Sequence, residues 1–68
     1  MKNEFRTILA YQKKNVTDVH VDTGISKTTL FNLYHERSKN PELQTLLKIT
    51  DYLNITVDEL LGIRKEVI

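Results

Sequence analysis

NVTDVHVDTGISKTTLFNLY, residues 15–34, decides the fold of this 68-residue chain. Asn15 or Thr17 supplies a side-chain oxygen able to hold the first free N–H groups of a helix. Val16, Val19 and His20 then recur at the three-and-four spacing of one buried face. The valines alone would also suit a strand, but the punctuation around them favours a helix. Thr23-Gly24 stops it, because glycine enters the left-handed conformation of a helix end without a Cβ clash. Ser26 caps the next helix, in which Leu30 and Leu33 lie three apart. The stretch therefore reads as a short helix, a glycine turn and a second helix that starts abruptly.

The same signals extend in both directions. Toward the amino end, Asn3 can cap a helix that carries Phe5, Ile8 and Leu9 on one face, with Glu4 at its positive end, and polar Gln12 to Asn15 closes it. Toward the carboxyl end, HERSKNP at 35–41 is a polar loop whose proline disfavours helix at Asn40 and opens the next helix near Pro41. Leu43, Leu46, Leu47, Thr50 and Leu53, with Ile49 beside them, form a broad apolar stripe that Asn54 ends. Thr56 and Glu59 have the spacing of a capping box ahead of Leu60 and Leu61, and Gly62 follows as a stop. Residues 63–68 read as a tail. The chain is thus expected to be all-α, a small five-helix bundle in one domain over 1–68, with a helix-turn-helix unit at about 15–34.

Composition narrows the function classes. A chain of this length buries only roughly 60% of its unfolded surface and supports one core. It is 40% apolar, with two Gly and one Pro, a globular composition. The absence of cysteine excludes disulfides and thiolate metal sites and fits a reducing compartment, so cytoplasm is the expected location. Glu4 and Arg6 stand where an export signal needs an apolar run, and no stretch approaches a membrane span. Net charge is only +1, but residues 1–40 hold seven Lys or Arg against four acids, and residues 41–68 three against five. The first half is basic. No nucleophile, base and orienting group fall in a recognisable catalytic arrangement, so no enzyme is expected. His20 and His35, fifteen residues apart and without cysteine, do not form a metal pair, and no cofactor is implied.

If Val19 and His20 pack on Leu30 and Leu33, the opposite side of the third helix stays free. That side carries Lys27, Thr28, Thr29, Phe31, Asn32 and Tyr34, with no acid before Glu36 to repel phosphate. A major groove roughly 12 Å wide admits one helix, and its base edges offer acceptors and thymine methyls that such side chains can read.

In this order of elements, and over VDTGISKTTLFNLYHERSKNPELQTLLKITDYLNITVDELLG at 21–62 above all, the sequence resembles the Cro and phage-repressor family, the xenobiotic-response-element type of helix-turn-helix, with a lambda-repressor-like fold. The resemblance covers about residues 4–62. It implies that Ser26 caps the recognition helix, that Lys27, Thr28 and Asn32 face base edges, and that Phe31 meets thymine methyls or sugar. It places Asn15, Ser26, His35, Arg37 and Lys39 on the phosphate side, with the amino end of the fourth helix at Glu42 to Gln44. The chain departs from the family's pattern at His20, where a small residue is usual, and at Val16, where a polar, often phosphate-binding residue is common. It departs again at Tyr34-His35-Glu36, where an acidic residue, a polar one and then Gly are common.

The expected function is a sequence-specific transcriptional regulator, a repressor in a phage-like or bacterial switch, with the third helix (about 26–34) in the major groove. Its partners are double-stranded DNA and a second copy of the chain as a homodimer, with no membrane. The alternative is a modulator or antirepressor of the same fold that binds another regulator protein through Phe31 and Tyr34, since two exposed rings suit a protein surface better than DNA. Of the two, Tyr34 is the one expected to be buried. His20 reads as a packed core histidine and Lys13-Lys14 as the solvated end of a helix. Ile63, Val67 and Ile68 read equally as a dimer seam or as loose terminal residues.

Overall fold

The computed structural model describes residues 1–63, which form five helices and no strand. They are α1 (Phe5–Gln12), α2 (Val16–Thr23), α3 (Lys27–Tyr34), α4 (Leu43–Leu53) and α5 (Val57–Leu61). Of the three residues read equally as a dimer seam or as loose terminal residues, Val67 and Ile68 lie outside the described residues and Ile63 is exposed.

Each helix owes its bounds to local chemistry. Asn15 Oδ1 accepts from Asp18 N–H at 2.8 Å while the Asp18 carboxylate accepts from Asn15 N–H at 3.0 Å, a reciprocal box that starts α2. Gly24 ends that helix at φ 77°, with its N–H on the His20 carbonyl. Ser26 Oγ accepts from Thr29 N–H at 3.2 Å to start α3, and Thr56 with Glu59 makes a second box at α5. Asn3 acts one position before its expected place. Glu4 is the α1 cap residue by backbone geometry, without a side-chain bond, and Asn3 Oδ1 accepts from Phe5 N–H at 2.9 Å.

The helices and the turn residue Ile25 contribute to a shared core of Phe5, Leu9, Val16, Val19, Ile25, Leu30, Leu33, Leu46, Ile49, Leu53 and Leu60. α3 rests on α2 and α1, and α4 rests on α2 and α5. Three expectations are corrected here. α4 begins at Leu43, with Glu42 as cap, two residues later than Pro41 suggested. Its stripe is narrower than six apolar positions implied: Leu46, Ile49, Thr50 and Leu53 are buried, whereas Leu43 and Leu47 are 64% and 49% exposed. The small bundle offers α4 neighbours on one side only. His20 is half-buried rather than a core residue, and its Nδ1 lies 2.6 Å from the Ile25 carbonyl.

Residues 1–4 hold two distant helix ends together. Asn3 is buried, and its Nδ2 donates to the carbonyls of Leu33 (3.0 Å) and Met1 (3.1 Å). The α-amino group donates to the Glu36 and Ser38 carbonyls, and Glu4 N–H donates to the Leu60 carbonyl at 2.7 Å. The carboxyl ends of α3 and α5 are thereby joined to one strap.

Candidate nucleic-acid interface

The turn before α3 is set by two residues with different roles. Gly24 supplies the positive φ, and nothing lies within 4 Å of where a Cβ would sit, so the need is for backbone freedom rather than for space. His20 then reaches across the turn. A carbonyl only accepts, so His20 Nδ1 carries the proton that holds Ile25, the residue directly before the α3 cap. A small residue at position 20 would leave that carbonyl to water; here the imidazole ties α2 to the start of α3.

α3 is anchored by Leu30 and Leu33, both fully buried. At about 100° per residue, Thr28, Phe31, Asn32 and His35 lie opposite this pair, with Lys27 and Thr29 flanking them. Lys27, Thr28, Thr29 and His35 are exposed, Phe31 is 40% exposed, and Asn32 and Tyr34 are half-buried. Ser26 and Thr29 hydroxyls bond each other at 2.8 Å, so both serve the cap. The Thr28 hydroxyl and the Asn32 carboxamide have no hydrogen-bond partner among the described residues and remain available to a ligand.

Phe31 and His35, one turn apart, stack with their planes 13° from parallel and centroids 6.1 Å apart. Tyr34 meets His35 edge-on at 5.0 Å and Phe5 edge-on at 6.4 Å. Tyr34 is therefore packed between core and surface, and Phe31 is the ring that α3 offers outward. Arg6, on α1, lies over the Tyr34 ring at 5.8 Å and lines two hollows with His35. Nothing in the sequence singled it out, because its partner is 28 positions away and α1 carries no motif. Lys14 is likewise more than a solvated helix end: its Nζ stands 4.5 Å from the Tyr52 ring centroid, and it lines the same hollow as Asn15, Phe31 and His35.

Val16 is buried at the first position of α2, so its side chain serves the core. Asn15 is exposed, but its Oδ1 is engaged in the α2 box. Arg37 and Lys39 project from the loop after α3, both exposed. That loop leaves the helix through Glu36, whose φ of 59° is left-handed, while Arg37 N–H returns to the Asn32 carbonyl at 2.7 Å. A hollow between α3 and the start of α4 is lined by Thr29, Asn32, Ser38, Asn40, Glu42 and Thr45 among others. Phe31, Asn15 and His35 thus share one hollow and Asn32 borders a second on the other flank of α3, while Arg37 and Lys39 border neither.

This arrangement, a capped helix held by two leucines with polar groups and one ring turned outward, is accompanied by a match to a family model, the Cro/C1-type HTH DNA-binding domain, over residues 4–66. The chain belongs to the Cro/C1-type helix-turn-helix family. It is a DNA-binding domain of that type, and its five-helix, all-α architecture is the one the family resemblance implied. No curated protein and no solved structure matches the chain. Among the described residues, no helix is long and apolar enough to cross a membrane, and no group of three or more His, Cys, Asp or Glu could hold a metal ion.

Proposed function

We propose that this Cro/C1-type domain is a sequence-specific transcriptional repressor of a phage-like or bacterial switch, with α3 in the major groove and residues 15–34 as its working unit within a single domain. The observation that carries this reading is the outward face of α3, where a free carboxamide and a free hydroxyl stand beside an exposed ring on a helix that two leucines hold rigidly. Lys27, Thr28, Phe31 and Asn32 contact bases. Asn15, Ser26, His35, Arg37 and Lys39, with the amino end of α4 at Glu42 to Gln44, face phosphates and set register. Arg6 joins the phosphate set on the strength of its place beside His35. A homodimer reads two half-sites about 34 Å apart, and repression follows from blocking polymerase or a competing regulator.

The test is binding to random and to enriched duplexes across a salt series, with light scattering for oligomeric state. Selective binding that weakens steeply as salt rises is the expected result. A folded protein that binds every duplex equally would sink the reading. One observation favours a second reading, a modulator that binds another regulator protein: Phe31 presents its ring beside an apolar hollow formed with Ala10, Val16 and Tyr34. A Phe31→Ala variant that loses a protein complex and keeps all DNA binding would decide for it.

A further inference from the structure

Resting on the repressor reading, we propose that each half-site places adjacent A·T pairs under the middle of α3, an adenine read by Asn32 and a thymine methyl read by Phe31. The chemistry of the outward face favours A·T over G·C at these two positions. Guanine is read by a bidentate arginine or lysine at O6 and N7, and α3 holds no arginine. Its one lysine, Lys27, stands at the first helical position, a full turn before Phe31 and Asn32. Cytosine N4 is typically met by a carboxylate, and α3 carries no Asp or Glu. A carboxamide matches adenine, donating to N7 and accepting from N6. The Asn32 carboxamide is the one such group on α3, and no protein group competes for it among the described residues.

Phe31 supplies the second half. Its ring has no polar atom and so can favour only an apolar base feature, of which the groove offers one, the thymine C5 methyl. The His35 ring lies nearly parallel to it, with centroids 6.1 Å apart, and borders one side of the Phe31 ring. Thr28, exposed on the same face with its hydroxyl free, adds a second methyl to this side of the helix.

Atom-level substitution in the DNA tests this. Half-sites selected from a random pool are remade with deoxyuridine for each thymine, which removes only the methyl, and with 7-deazaadenine for each adenine, which removes only N7. Each change at its own position is expected to weaken wild-type binding about threefold to tenfold. Phe31→Ala is expected to be indifferent to the missing methyl, and Asn32→Ala to the missing N7. Both positions are at least partly exposed, and circular dichroism melts confirm that the variants are folded; the wild-type result stands without them. Selected half-sites with G·C pairs at these positions, or equal losses in wild type and variant, would overturn the inference while leaving sequence-specific binding intact. Failure to select any site would overturn the repressor reading with it.

Discussion

Glu36 holds a left-handed backbone conformation, φ 59°, at the place where α3 gives way to its loop. For a residue with a Cβ this conformation costs roughly 1–2 kcal/mol, and glycine avoids it at the expense of about 0.5–1 kcal/mol of extra unfolded-state entropy. The side chain offers little in return, a 3.4 Å contact from Asn3 N–H to Oε1. Glu36→Gly is therefore expected to stabilise the domain by about 0.5–1 kcal/mol, read as a rise of several degrees in the thermal midpoint. A lower midpoint would mean that the Asn3 contact outweighs the backbone strain. Tyr52 makes a different kind of prediction. Its hydroxyl donates to Asp22 at 2.6 Å, and that hydrogen bond, with burial and the charges of Asp22 and Asp18, pushes the phenol up to about 12 from its usual 10. The neutral phenol is the form that donates, so its contribution is complete below pH 10 and lost as pH rises through 12. Stability of the wild type should fall more steeply between pH 10 and 12 than that of Tyr52→Phe, and the late phenol titration should vanish in the variant.

Helix boundaries show which features a sequence displays openly. Ser26 at α3 and the Thr56–Glu59 box at α5 act within three residues of themselves, so the spacing alone locates them. Ser26→Ala should cost about 1 kcal/mol in denaturant unfolding, since it leaves Thr29 N–H without its acceptor. An unchanged midpoint would show that water replaces the cap fully. What was hidden depends on distance along the chain. The exposure of Leu43 and Leu47 follows from where α2 and α5 pack on α4, and periodicity cannot tell an apolar position that faces the core from one beside it. Asn3 looked like an ordinary cap, yet its amide reaches Leu33, thirty positions on. Arg6 and Lys14 gained their roles from Tyr34 and Tyr52 in the same way. That Thr28, Phe31 and Asn32 share one outward side, with Lys27 on its flank, is legible in the sequence, because a single helix with two buried leucines dictates its own opposite face.

Across the whole molecule, the cations assigned to DNA are drawn from different parts of the chain, whose net charge is only +1. Arg6 on α1, Lys27 on α3 and the exposed loop cations Arg37 and Lys39 come from separate segments, while the acids of α5, Asp58 and Glu59, belong to its first turn. Lys39→Ala should weaken binding to all duplexes alike and lower the slope of log affinity against log salt by about one counterion. An unaltered slope would remove Lys39 from the phosphate set. The division of labour within α3 has an evolutionary consequence. Two leucines, a serine cap and a glycine turn carry most of its folding, so the outward positions answer less to the demands of the interior. Descendants of this chain could exchange positions 27, 28, 31 and 32 among many residue types and still fold. A lineage of such proteins would acquire new genomic addresses one side chain at a time, each intermediate remaining a well-formed protein throughout.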